Sequence, residues 1–308
     1  MGQFIGRNKG VWYAIGAYVS WGILPVYWKW LHHVPAVQLL SHRIVWSFFA
    51  LLIVIVVSLR WKDFQSVIRN PRILRIYLAA AVLIGINWLT YVWAVNSGHI
   101  IECSLGYYIN PLFSVLIGVI FLHEHMRPRQ WIPMGLAAVG VIYLSAVYGS
   151  LPWIALTLAL SFGFYGLVKK IAPLGSLYGL TLETGILILP AICFLLYSDA
   201  AGSGAFLHRD PLSDILLIGA GIVTTIPLLM FASAAQRIPL SLVGILQYIS
   251  PTIGLFIGIF LYQEPFTLLH MAGYGMVWAA LVLYGLEGYI AHRAEIEAVN
   301  EASMNDLL

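Results

Sequence analysis

Long, continuously apolar stretches broken at charges, glycines and prolines dominate this chain. A helix that crosses a hydrocarbon core of about 30 Å needs about 20 mostly apolar residues. Ten stretches qualify: 11–31, 36–58, 73–96, 101–121, 128–147, 151–168, 177–197, 212–235, 239–262 and 267–290. A transmembrane barrel would need alternating segments of about 10 residues instead. Runs such as Phe48–Ser58 (FFALLIVIVVS) are apolar almost throughout and do not alternate. The pattern predicts an all-α integral membrane protein with ten transmembrane helices. The first apolar stretch is too long for a secretory signal peptide and no small-x-small cleavage site follows it, so it reads as a helix of the mature protein.

Composition carries the same message. Of 308 residues, 61% are apolar types and 9% are charged, against about 45–50% and about 25% in an ordinary soluble domain. The mean hydropathy is +0.88. So little charge does not cover a soluble surface, which excludes a cytosolic enzyme, a nucleic-acid binder and a disordered chain. Cys103 and Cys193 form neither a disulfide framework nor a metal-site spacing. The formal charge is +3, but its distribution matters more. With the N-terminus in the cytoplasm, the inner segments hold Arg7, Lys9, Arg60, Lys62, Arg69, Arg72, Arg75, Arg127, Arg129, Lys169, Lys170, Arg237 and Arg293. These are thirteen of the sixteen Lys and Arg residues; Lys29, Arg43 and Arg209 lie outside or in the membrane. The excess of positive charge on inner segments predicts that both termini are cytoplasmic. Residues 60–75 form a basic inner loop, which reads as an orientation signal or as a segment lying on anionic headgroups. Residues 291–308 read as a solvated, partly frayed cytoplasmic tail.

The chain repeats internally. Shifted by 140 residues, Tyr108-Ile109-Asn110-Pro111 overlays Tyr248-Ile249-Ser250-Pro251, Gly118 overlays Gly258, and Glu124 overlays Glu264. A shift of 141 overlays Ser20-Trp21-Gly22 on Ser161-Phe162-Gly163, Lys29 on Lys170, and His42 on Glu183. Matches at nearly one offset over two helix pairs mark a duplication. The expected organisation is a first repeat over 1–148 and a second over 149–290. Five spans per half is an odd number, so the second half enters the membrane from the opposite side. Such inverted repeats are the symmetry of many secondary transporters, whose sites lie near the midplane between the halves.

The stretches SHRIVWSFF (41–49), NWLTYVWAVN (87–96), ECSLGYYINP (102–111), SFGFYGLVKK (161–170), GIVTTIPLLMF (221–231) and LQYISPT (246–252) carry a resemblance. The chain resembles the drug/metabolite transporter superfamily, in its ten-helix EamA-type branch, and within that the RarD-like proteins. The likeness runs from about residue 10 to residue 289. It implies a carrier of the bacterial inner membrane with a central cavity, usually exporting small metabolites. A chloramphenicol-resistance label attaches to the RarD-like group.

Ionisable groups within a membrane are costly and default to function. His42 and Arg43 lie about six residues into the second span, roughly 9 Å deep. Glu183, the repeat mate of His42, is expected at similar depth from the other side. Arg43 cannot lose its charge; it reads either as a receptor for a carboxylate or polar group, or as a structural anchor. His42 and Glu183 are candidates for proton coupling. Their alternatives are a packed, hydrogen-bonded ring and an ion pair with Lys169 or Lys170. Pro111 and Pro251 remove backbone donors and are expected to break their helices. Tyr107, Tyr108, Asn110, Gln247, Tyr248 and Ser250 beside them are candidate cavity residues. Trp21, Asn87, Trp88 and Tyr91 form a possible aromatic wall with polar tips, equally suited to protein packing. Trp12, Trp28 and Trp30 read as an interfacial belt. Gly254 and Gly258, matched by Ser114 and Gly118, read as a close-packing face. No P-loop or HExxH pattern occurs, and His123-Glu124-His125 lacks the helical spacing of a metal site. No cofactor and no metal are expected.

The leading expectation is a secondary transporter working by alternating access on a small amphipathic, chloramphenicol-like or amino-acid-like solute. Export is the favoured direction, with proton antiport or facilitated diffusion as its mode. The expected partners are that solute and the lipid bilayer, with the chain a monomer or homodimer and no nucleic acid bound. The alternatives are a membrane-embedded enzyme, for which no clustered catalytic set is seen, and a channel or non-transporting subunit.

Overall fold

The computed structural model describes residues 2–97, 99–148, 153–263 and 267–305. Twelve α-helices follow one another: α1 (Gly2–Trp30), α2 (Ala36–Val57), α3 (Trp61–Ile68), α4 (Pro71–Asn96), α5 (Ile100–Leu122), α6 (Trp131–Tyr148), α7 (Trp153–Ile171), α8 (Ser176–Ala200), α9 (Pro211–Ala235), α10 (Leu240–Gln247), α11 (Ile249–Phe256) and α12 (Leu268–Asn305). A π-helical turn, Ile257–Leu261, extends α11. Among the described residues nine helices are long and apolar enough to cross a membrane, with Leu240–Leu261 counted as one. The expected tenth, α1, has 29 residues, but its tryptophans, tyrosines and glycines leave it less apolar than the others.

By contact the chain divides into two compact units. The first, Met1–His123 with Pro152–Glu264, holds α1–α5 and α7–α11. The second, Glu124–Leu151 with Pro265–Leu308, is built on α6 packed against α12. Within the first unit α1 packs on α9, as α7 packs on α4. α1 also packs on α10 and α11, as α7 packs on α5; α2 packs on α8, and α5 crosses α10. Exchange of the two sequence halves maps these pairings onto themselves.

Local chemistry repeats at the same offset. Asn70 Oδ1 accepts from the Arg72 amide at 3.0 Å, and Asp210 Oδ1 accepts from the Ser213 amide at 2.9 Å. Pro71 and Pro211 follow as the first residues of α4 and α9. Each side chain satisfies an amide that a helix start leaves unpaired, and proline there forfeits no helical bond. At the other end of the corresponding hairpins, His123 (φ 52°) and Gln263 (φ 56°) both adopt the left-handed conformation that stops a helix. Two glycines at the same offset mark equivalent crossings. A Cβ on Gly22 of α1 would lie 2.7 Å from Ile253 Cβ of α11. A Cβ on Gly163 of α7 would lie 2.8 Å from Ile117 Cδ1 and 3.8 Å from Phe113 Cβ of α5. Phe113 is the repeat mate of Ile253.

Three expectations are corrected. The two prolines do not both break their helices. At Tyr248 the ninth span separates into α10 and α11, three residues before Pro251, and the Tyr248 amide falls back on the Ile245 carbonyl at 3.3 Å. α5 runs unbroken through Pro111. There α10 closes in, with the Pro111 carbonyl 2.8 Å from where a Gly244 Cβ would be. The Tyr248 hydroxyl also donates to the Tyr108 carbonyl at 3.3 Å. Close packing of α10 accompanies the unbroken helix here; the Tyr248 bond reaches the carbonyl next to the one, Tyr107, that Pro111 leaves without its helical donor. Second, the expected packing face at Gly254 is not formed: a Cβ there would meet nothing within 4 Å, and Ser114 packs at the Gly244 crossing instead. Third, the expected frayed extension after residue 290 is helix as far as the described residues go: α12 continues to Asn305.

Candidate functional site

Two charged constellations sit within the first unit, each on the first two spanning helices of its repeat. The first surrounds Arg43, seven residues into α2. Its Nε donates to Thr224 Oγ1 of α9 at 2.9 Å. The guanidinium carbon lies 4.8 Å from the ring of Trp28 (α1) and 5.3 Å from that of Trp88 (α4). Tryptophan faces attract a cation through the ring quadrupole, and guanidinium stacks flat on them. Tyr91, one turn beyond Trp88 on α4 and so on the same face, lies with its ring 6.1 Å from that of Tyr107 on α5. Arg43, Trp28, Trp88 and Tyr91 are half-buried, and Tyr107 is 44% exposed. Among the described residues, no carboxylate lies within 4.0 Å of Arg43.

The second constellation is sealed. Lys169 of α7 donates from Nζ to Glu183 Oε1 of α8 at 2.6 Å, and Tyr165 donates to Oε2 at 2.9 Å. Lys169 and Glu183 are each 1% exposed. The rings of Tyr77 and Tyr165 lie 5.6 and 5.7 Å from the Lys169 ammonium. Leu174, just past the end of α7, is bound by Tyr77 and by Gln236 Nε2, the latter donating to its carbonyl at 2.7 Å.

The remaining candidate residues scatter between these points. Asn87 ties α4 to α7: its Nδ2 donates to the Leu158 carbonyl at 2.9 Å and to Ser161 Oγ at 3.0 Å. Trp21 belongs to an aromatic cluster in the core, 5.6 Å from Tyr18, 5.8 Å from Phe162 and 5.7 Å from Phe231. His42 is 5% exposed, with its ring 5.1 Å from Phe206 and its Nδ1 without a hydrogen-bond partner among the described residues. Tyr108 donates to the Pro251 carbonyl at 3.3 Å while Tyr248 bonds back to Tyr108, a reciprocal tie between α5 and the broken ninth span. Asn110 Oδ1 and Gln247 Oε1 are buried without a hydrogen-bond partner among the described residues. Ser250 is half-buried, and its carbonyl would lie 3.1 Å from a Cβ on Gly22. An open cleft of about 990 Å³, lined by residues including Lys29, His33, Asp210 and Ser213, lies where α1 ends and α9 begins, about three helical turns along α9 from Thr224.

Three residues were missed by the sequence reading. Trp28 was assigned to the interfacial belt, Thr224 carried no signal, and Tyr165 was passed over. The repeat held a clue: under the 141 shift Trp28 overlays Lys169, so a residue facing His42 and Arg43 was to be expected there.

These elements describe a multi-pass, all-helical membrane protein built from two related halves. The profile of the EamA-like transporter family matches residues 8–146 and 151–286, and the chain belongs to that family of membrane transporters. It is 46% identical over 292 residues to the uncharacterized transporter YojE of Bacillus subtilis, covering 92% of this chain and 95% of that one. To protein RarD of Escherichia coli K12 it is 41% identical over 287 residues, covering 93% and 97%. A more distant relative, 26% identical over 282 residues and covering 90% and 94%, is the chloramphenicol-sensitive protein RarD of Pseudomonas aeruginosa. A solved crystal structure superposes with a TM-score of 0.69 over 91% of this chain and 98% of the other, at 17% identity, a likeness of fold.

Proposed function

We propose that this transporter is a secondary carrier. It moves a small amphipathic solute across the bacterial inner membrane by alternating access, in the direction of export. The observation that carries the reading is the asymmetry of the two constellations. Equivalent helices hold a partly exposed, aromatic-walled cation toward one end and a fully buried ion pair toward the other. A two-fold related carrier caught in one of its two states has this form, since exchange of the halves' conformations would open one end and close the other. The symmetric pairings, the matching caps and the matching glycine crossings support an inverted duplication, with repeats over 1–148 and 149–290. The distribution of Lys and Arg supports cytoplasmic termini.

In this reading the solute sits among Arg43, Trp28, Trp88, Tyr91 and Tyr107. Tyr108, Asn110, Gln247, Tyr248 and Ser250 line its route past the crossing of α5 and α10. Glu183 and His42 are the groups through which protons would couple. The test is counterflow and pH-driven uptake in proteoliposomes, with amino acids, aromatic metabolites and chloramphenicol as solutes. Exchange of a preloaded solute is expected for at least one. Glu183→Gln, combined with Lys169→Gln so that no charge is left buried alone, is expected to abolish pH-driven uptake while exchange persists; a folded protein that exchanges none of them counts against the carrier reading.

A further inference from the structure

We infer that the Arg43 cage is a receptor for a monocarboxylate with an aromatic or branched apolar body. The inference rests on the carrier reading and names its solute class. A guanidinium has five N–H donors and no acceptor capacity. Here one donor is committed, Nε to Thr224 Oγ1. The Trp28 and Trp88 rings lie close to the guanidinium carbon, at 4.8 and 5.3 Å, and restrain the group on two helices while Thr224 fixes its rotation from a third. The Nη donors remain without a hydrogen-bond partner among the described residues. A charged group at membrane depth is expected to meet an opposite charge, backbone carbonyls or water, and a carboxylate accepts two parallel N–H bonds from guanidinium.

Charge count narrows the class. The cage supplies one positive charge, and the hydroxyls of Tyr91 and Tyr107 supply only neutral donors. A monoanion is neutralised there; a phosphate dianion would leave a net negative charge in an apolar surround, which is costly. The aromatic walls suit a flat or branched apolar body. A structural anchor would need the same Thr224 bond but no open fork, and it would not discriminate between a carboxylate and its amide.

The experiment measures binding to the purified full-length protein in detergent by isothermal titration. The probes are 3-phenylpropionate, indole-3-propionate and 4-methylpentanoate, each against its own primary amide. At least one carboxylate is expected to bind tenfold or more tightly than its amide. Arg43→Gln is expected to bring that carboxylate down to the amide's level, and Arg43→Lys to keep part of the preference. Thr224→Val, which removes the anchor and leaves the charge, is expected to reduce the preference several-fold; it serves if Arg43→Gln fails to fold. Carboxylates binding no better than amides, or an undiminished preference in folded Arg43→Gln and Thr224→Val, overturn the inference. Counterflow separates the two readings. Flux of neutral solutes alone, chloramphenicol included, overturns the carboxylate receptor and leaves the carrier standing. Carboxylate binding without any flux overturns the carrier.

Discussion

Arg43 with Trp28 and Glu183 with Lys169 occupy corresponding places on the two halves, yet they solve the same electrostatic problem in opposite ways. Under the 141 shift Lys169 stands where Trp28 does, and Glu183 where His42 does, one residue from Arg43. At the Lys169–Glu183 end a 2.6 Å ion pair is closed off from solvent. The desolvation cost of two charges is offset there by their attraction and by the Tyr165 hydroxyl. At the Arg43 end the charge keeps partial exposure, aromatic faces replace the counter-ion, and donors stay available. A duplicated scaffold can thus hold a finished interaction on one side and an unfinished one on the other. The unfinished one is where a solute has something to add.

The comparison can be broken or sharpened by substitution. The largest effect is expected at the sealed end. Lys169→Met leaves Glu183 buried and unpaired, and loss of one partner of a buried pair costs about 3–5 kcal/mol. The melting temperature in detergent should fall sharply, and the double substitution Lys169→Met with Glu183→Leu should recover at least half of the fall. A single variant that melts like the parent would mean the pair is open to water in solution.

Next come the glycine crossings. Gly22→Ala and Gly163→Ala each force a Cβ into a contact under 3.0 Å, and overpacking of this kind costs about 1–3 kcal/mol. The larger loss is expected at Gly22, where the new methyl meets Ile253 Cβ and the Ser250 carbonyl, and a smaller one at Gly163, where the terminal methyl of Ile117 can swing aside; none is expected at Gly135→Ala, whose Cβ would meet nothing within 4 Å. A Gly22→Ala variant that melts like Gly135→Ala would show that α1 and α11 are not packed this closely.

Accessibility gives a third measurement. With exposed Cys193 replaced by Ser, Tyr107→Cys should react with a charged, membrane-impermeant thiol reagent at least tenfold faster than Tyr165→Cys, because the proposed solute route opens the Arg43 cage to water while Tyr165 is fully buried. Equal rates would show both ends equally open. The smallest effect is expected for the stability of Arg43→Gln. Removing a charge that has no ionic partner among the described residues leaves no orphaned counter-ion there, so the change should stay within about 1 kcal/mol, far below that of Lys169→Met. A fall as large as at Lys169 would reveal a hidden anionic partner.

Much of the architecture was legible along the chain because it depends on local quantities. Span length and apolarity mark out membrane helices, whatever they pack against. The 140–141 offset survives in motifs such as Tyr108–Pro111 and Tyr248–Pro251, and the quoted stretches sufficed to place the chain in its family. The same offset also relates Asn70-Pro71 to Asp210-Pro211, a matched pair of helix caps. The charged residues were found for a similar reason: in so apolar a chain, Arg43, His42 and Glu183 stand out by type alone.

What the sequence could not determine is which neighbours complete those groups. Whether Pro111 bends its helix is read only from the fold, where Gly244 packs against it from a helix more than a hundred residues away. Whether Glu183 is free depends on where Lys169 and Tyr165 of the preceding helix point once α7 and α8 pack. Asn87 has the same composition as a cavity residue and serves instead as a tie to Leu158 and Ser161. Trp28 looks like a belt tryptophan until α2 brings Arg43 over its ring and Thr224 of α9 holds that arginine. Periodicity and hydropathy are sums over a residue and its near neighbours, so the sequence alone determined the spans, the repeat and the rare charges. Pairing of a charge is a matter of a few ångströms between side chains distant in sequence, and only the packed helices decided which charge is closed and which remains open.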